Sequence, residues 1–165
     1  VALAPGSVGA HKRWPGYPEL AKALTADGVQ VWVVGGPGET EAARTIVAAA
    51  GPRAHDLTGI DLRQGVLAIA AANLAVSNDS GLMHVAAATG TPTIGIFGPT
   101  SPWHWAPLNP LAAAVQPASL RGTEMPYHSI AKRDDASYIS SIPVADVWDA
   151  VRDVLANARQ PQATT

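Results

Sequence analysis

The sequence predicts an α/β domain: a parallel sheet covered by helices on both faces. Short apolar, β-branched segments alternate with helical patterns of ten or more residues, the rhythm of βαβ units. Nearly half the residues are apolar, yet alanine supplies much of that share and Phe occurs once, so the core is built from Val, Ile, Leu and close-packed Ala. That composition suits helices lying on a sheet. At 165 residues the chain is long enough for one domain, burying roughly 70% of its unfolded surface.

The elements follow in order. "VALAP" (1–5) reads as the first strand, and Tyr17 to Ala26 as a helix with Leu20, Ala23 and Leu24 on one face, its start set by Pro15 and Pro18. "VQVWVVGG" (29–36) is a continuous buried strand ending in glycines. From Glu39 to Ala50 the spacing of Ala42, Ala43, Ile46 and Val47 is helical, and Gly51-Pro52 stops it. "RAHDLTG" (53–59) is a short strand and turn, Leu62 to Ala72 a helix, and "LAVSND" (74–79) a strand. Ser80 to Thr89 is a helix ended by Gly90. "TPTIGIFGPT" (91–100) is a strand with its exit loop, and "LAAAVQP" (111–117) a last strand. Residues 118–142 lack a steady period and read as a long loop. A final helix starts near Pro143 with Val144, Val147, Trp148, Val151 and Leu155 on one stripe, and 159–165 reads as a disordered tail. Such a sheet is Rossmann-like.

Charge and composition narrow the function. A formal charge of −2 with 15% charged residues excludes a broad basic surface for nucleic acid or anionic membrane, so any anion is bound locally. Cysteine is absent, which removes disulfides and thiolate metal sites. The longest apolar stretches, Val66 to Ala72 and Val85 to Thr89, fall far short of the ~20 residues of a membrane span. The chain opens directly on a strand, with neither initiator Met nor charged leader, and so reads as a piece of something longer.

In a parallel α/β sheet, ligands sit where strands end and helices begin, because helix N-termini offer unpaired N–H groups. "SNDSGLMHVAAA" (77–88) lies at such a junction. Asp79 or Ser80 can cap the helix, Gly81 lets a ligand approach the backbone, and His84 falls on the same face one turn in. A plain cap with His84 packed nearby explains the same residues. "PGSVGAHKRWP" (5–15) brings Ser7, His11, Lys12 and Arg13 to the end of the first strand, as a pyrophosphate clamp or as a solvated basic loop, with Trp14 and Pro15 packing it down. "VVGGPGET" (33–40) fails the dinucleotide fingerprint, since Glu41 stands where the third glycine belongs and the loop follows the second strand. Glu39 accepts from a ribose or stabilises a helix N-terminus. In "FGPTSPWHWAPL" (97–108), Trp103 and Trp105 stack on a sugar, cover the core, or face another domain. No D-x-D, H-E-x-x-H, G-x-S-x-G or P-loop pattern occurs, so no metal is expected.

Together, "HKRWP", "VVGGPGETEAA" and "SNDSGLMHVAAATGTPTIGIFGPTSP" resemble the C-terminal half of bacterial ADP-heptose:lipopolysaccharide heptosyltransferases, over most of residues 1–116. The resemblance implies the C-terminal, nucleotide-sugar-binding lobe of a GT-B fold over 1–158, with the N-terminal acceptor lobe and its general-base aspartate outside this chain. It implies an inverting transfer of heptose from ADP-heptose to the lipopolysaccharide inner core, without a cofactor, and a fragment inactive by itself. The full-length enzyme would be cytoplasmic, peripheral at the inner face of the inner membrane. By the same resemblance Lys12 and Ser7 meet donor phosphate, and Glu39 meets the ribose. Asp79 binds heptose hydroxyls, and Ser80, Gly81 and His84 complete the pocket. Adenine lies against the turn from Thr58 to Leu62, with Ile60 as an apolar contact. A stand-alone nucleotide or nucleotide-sugar binding module is the alternative. An NAD-dependent oxidoreductase is a weaker third reading, disfavoured by the broken fingerprint.

Overall fold

A computed structural model describes residues 1–158; the expected disordered tail, 159–165, lies outside the described residues. Six parallel strands form one sheet: β1 (Ala2–Ala4), β2 (Val31–Gly35), β3 (Ala54–Thr58), β4 (Ala75–Asn78), β5 (Thr93–Ile96) and β6 (Ala113–Val115). Their order is β3-β2-β1-β4-β5-β6, the Rossmann order, so the chain reverses direction across the sheet between β1 and β4. The register pairs Ala4 with Ser77, Gly35 with Thr58 and Asn78 with Ile96, which brings the carboxyl ends of β1 to β5 to one edge.

The sequence sorts the helices between the two faces. Along β2, Val31 and Val33 point to one side and Trp32 and Val34 to the other, the two-residue alternation of a strand. The first side, with Leu3, Val76, Ile94 and Ile96, is covered by α1 (Tyr17–Ala26), α2 (Thr40–Ala50) and the last helix, α7 (Val144–Ala158). The second side, with Ala2, Val34 and Ala75, carries α3 (Leu62–Ala71) and α4 (Gly81–Ala88) through Ile69 and Ala86. Each helix lies within about a residue of its expected span. The stop of α2 is Gly51 at φ 76°, a left-handed conformation that costs a residue with a Cβ about 1 kcal/mol or more. The expected stripe on α7 buries Val147 and Val151, with Val144, Trp148 and Leu155 packed against the core.

The reading of 118–142 as plain loop is corrected. It holds a 3₁₀ turn at Ala118–Leu120 and a short helix, α6 (Ser137–Ser140), and it buries Leu120, Met125, Ile139 and Ile142. A second short helix, α5 (Pro102–Trp105), follows the 91–100 strand and exit loop, within the stretch that carries the two tryptophans. Periodicity misses both because each spans a single turn and offers one or two apolar contacts. The 118–142 segment braces the loop after β1: the Arg133 carbonyl accepts from the His11 amide at 3.3 Å, and the Ile142 carbonyl accepts from Trp14 Nε1 at 3.0 Å.

Candidate functional site

A cleft of about 1070 Å³ opens at the carboxyl edge of the sheet, where β1 and β4 diverge. All eight sequence-derived site residues line it: Ser7 and Lys12 follow β1, Glu39 follows β2, Ile60 follows β3, and Asp79, Ser80, Gly81 and His84 follow β4. The strand order alone brings these distant segments together.

At the centre, Lys12 Nζ donates to Asp79 Oδ2 at 2.7 Å. The Asp79 side chain is 7% exposed and that of Lys12 25%, so this pair is sheltered enough for its charges to count. An ammonium has three N–H donors, which leaves two of Lys12's free to point into the cleft. Ser7 Oγ donates to the Asp79 carbonyl at 2.9 Å, and Arg13 Nε donates to the Ser7 carbonyl at 2.9 Å, so Ser7 and Arg13 fix the shape of the loop. His11 does not join the clamp. It is buried, with Nδ1 3.1 Å from the Arg133 carbonyl.

Asn78, one residue before Asp79, holds this arrangement together. Its Nδ2 donates to the Pro5 carbonyl at 2.7 Å, while its Oδ1 accepts from the Trp14 amide at 3.2 Å and lies 3.3 Å from the Tyr17 hydroxyl. Burial pushes the Tyr17 phenol pKa well above its ordinary value of 10. Trp14 packs edge-on against Tyr17, with ring centroids 5.2 Å apart, and is buried as expected. The role of Asn78 was not visible in sequence, because a strand-end amide reads as turn chemistry until its partners 61 to 73 residues away are known.

The capping of α4 differs from both options the sequence allowed. Ser80 occupies the N-cap position in extended backbone, but its side chain makes no cap bond; its Oγ lies 3.2 Å from Ser77 Oγ. Asp79 turns instead to Lys12, where its carboxylate meets a full positive charge rather than the partial charge of an amide. The first turn of α4 therefore presents its amides and the positive end of its dipole to the cleft without a side-chain cap. His84 is exposed and faces the same cleft one turn further along.

Glu39 reaches across the ends of β1 and β2. A Cβ on Gly6 would lie 2.8 Å from Glu39 Cγ, so only glycine at position 6 leaves that carboxylate its place. Beyond it the wall turns apolar, formed by Val34, Ile60, Leu62, Leu82 and Val85. Leu62 ends the turn expected at the adenine, where only Ile60 was named as the apolar contact. It is 75% exposed in the first turn of α3, and a large apolar residue there, directly after the Asp61 cap, is the signal that was available. The two tryptophans part company: Trp105 lines the cleft, whereas Trp103 is 93% exposed beside a separate cavity. Among the described residues, no three His, Asp or Glu side chains group in a way that could hold a metal ion.

Strand order and cleft define the class of protein: a Rossmann-like α/β domain with a ligand-sized cleft at its topological switch point. Residues 1–131 match the model of glycosyltransferase family 9 (heptosyltransferase), and the chain belongs to that family. It is 39% identical over 144 residues to lipopolysaccharide heptosyltransferase 2 of Salmonella typhimurium, covering 82% of this chain and 40% of that protein. It is 35% identical over 124 residues to lipooligosaccharide heptosyltransferase 2 of Haemophilus influenzae, covering 70% of this chain and 36% of that one. Among solved structures, the Escherichia coli ADP-heptose lipopolysaccharide heptosyltransferase II superimposes with a TM-score of 0.81 at 32% identity, over 96% of this chain and 47% of that one. An Escherichia coli heptosyltransferase with ADP is similar in fold, with a TM-score of 0.74 at 22% identity. The GT-B-type Rossmann-like fold expected from sequence is borne out. The chain spans less than half the length of these relatives.

Proposed function

We propose that this chain is the donor-binding half of an inverting glycosyltransferase that moves heptose from ADP-heptose to the lipopolysaccharide inner core. The observation that carries the reading is the Lys12–Asp79 pair beside the uncapped N-terminus of α4, in the switch-point cleft of a family 9 domain. Adenine lies on the apolar wall at Ile60 and Leu62, and the ribose meets Glu39. The diphosphate lies between Lys12 and the amides of Ser80 and Gly81, and the heptose hydroxyls meet Asp79 and His84.

The chemistry follows from charge. As the acceptor oxygen attacks the anomeric carbon, the bond to ADP breaks and negative charge grows on the diphosphate. Lys12 and the α4 dipole are fixed before the reaction and oppose that growing charge, a contribution of ~3 kcal/mol or about a hundredfold in rate for one such contact. The acceptor and its activating base belong to a second lobe on the same polypeptide, which acts at the cytoplasmic side of the inner membrane. Two measurements test this reading: titration calorimetry of the chain with ADP, and heptose transfer by a polypeptide carrying both lobes. Absence of ADP binding by folded protein would remove the donor-site assignment, and transfer without any need for this domain would remove the functional one.

A further inference from the structure

The three parts of the cleft are ordered by the sheet. On the β2–β3 side stands the apolar wall of Ile60 and Leu62, at the β1–β4 switch point the Lys12–Asp79 pair, and on the β5 side the half-buried ring of Trp105. A nucleoside diphosphate with its base on the wall and its phosphates at the pair leaves whatever the diphosphate carries on the β5 side. Trp105 is held there firmly. Its amide donates to the Ser101 carbonyl at 3.1 Å, its Nε1 donates to the Tyr127 carbonyl at 3.2 Å, and its ring packs against Tyr127 with centroids 4.9 Å apart. Tyr127 is itself flanked by His104 and His128 at 5.6 and 5.3 Å. An indole whose only polar atom is satisfied by the backbone, which packs at a tilt against another ring and still lines the cleft, presents an apolar surface of fixed orientation.

We infer that Trp105 is a specificity-determining residue of the donor site: its ring stacks on the C–H face of the donor's sugar while Asp79 takes that sugar's hydroxyls. This rests on the donor-site reading above. It also assigns work to the 118–142 segment, which supplies Tyr127 to fix the indole. Trp103, two residues earlier in the same short helix, has no part in it.

The test is calorimetric titration of wild type, Trp105→Ala, Trp105→Phe and Trp103→Ala with ADP and with ADP-heptose. Wild type binds ADP-heptose more tightly than ADP. Trp105→Ala loses about tenfold in ADP-heptose affinity while its ADP affinity stays within about twofold, which also shows that its cleft remains folded. Trp105→Phe retains most of the preference, and Trp103→Ala retains all of it. An unchanged ratio of the two affinities in Trp105→Ala, or equal losses for both ligands, overturns the inference and leaves the donor site standing. Failure of wild type to bind ADP overturns both.

Discussion

Lys12→Ala is the most informative single change, because Lys12 has two partners to lose. In the free protein it pairs with Asp79 at 2.7 Å; in the proposed complex its other two N–H groups meet the diphosphate. A charge-assisted hydrogen bond of this kind contributes about 1.5–3 kcal/mol. Its removal also leaves the Asp79 carboxylate, 7% exposed, unpaired and facing the negatively charged diphosphate. At an effective dielectric of about 20 and ~6 Å, each pair of like unit charges repels by roughly 3 kcal/mol before salt screening. Together these terms weaken ADP binding by at least ~3 kcal/mol, about 150-fold. The orphaned carboxylate further costs the fold about 1–3 kcal/mol, lowering the melting temperature by several degrees without changing the spectrum of the folded state. Adding Asp79→Ala to Lys12→Ala removes the repulsion and recovers part of both losses. Calorimetry with ADP and circular dichroism melts of the single and double variants measure all of this. Wild-type ADP affinity in a folded Lys12→Ala protein refutes the reasoning, and a double variant as weak as the single one refutes the repulsive part.

Further outcomes follow from the same geometry. Asp79→Asn keeps the shape of the side chain and removes the charge that neutralises Lys12, so ADP affinity holds or rises while ADP-heptose affinity falls; equal losses would move Asp79 from the sugar to the nucleotide. Gly6→Ala places a methyl 2.8 Å from Glu39 Cγ and displaces that carboxylate, so the variant binds ADP and 2′-deoxy-ADP alike where wild type prefers ADP about tenfold; retained preference would take Glu39 away from the ribose. Native Tyr17 keeps its proton at pH values where the unfolded chain has lost it, so unfolding releases a proton and stability falls as pH rises above about 10. Denaturant titrations of Tyr17→Phe should show a shallower decline over that range, and an identical slope would assign the effect to other groups.

Most of the fold was legible because its signals are local. The alternation of β-branched runs with 3.6-residue stripes marks every strand of the sheet and all five long helices, and Gly51 ends α2 where a left-handed residue was required. The site was legible at one remove, since strand-to-helix junctions are known to collect ligands and each junction here carries unusual polar residues. What stayed hidden is pairwise and long-range. No spacing in the sequence says that Asp79 will choose Lys12, 67 positions away, over the amides it directly precedes. Nor does any pattern around Asn78 reveal that it ties the end of β1, Trp14 and Tyr17 into one body. The 118–142 segment was opaque for a different reason: it contributes single anchors, Leu120, Met125 and Ile139, at irregular intervals, and irregular anchors leave no period to detect.

The central claim, that the switch-point cleft holds a nucleotide-sugar donor, is tested most directly by a crystal structure of the chain soaked with ADP-heptose. The account predicts adenine against Ile60 and Leu62, phosphate oxygens on Lys12 Nζ and on the first amides of α4, and the heptose between Asp79 and Trp105. Density for the ligand outside this cleft, or within it in the reverse orientation with the sugar on Ile60, contradicts it.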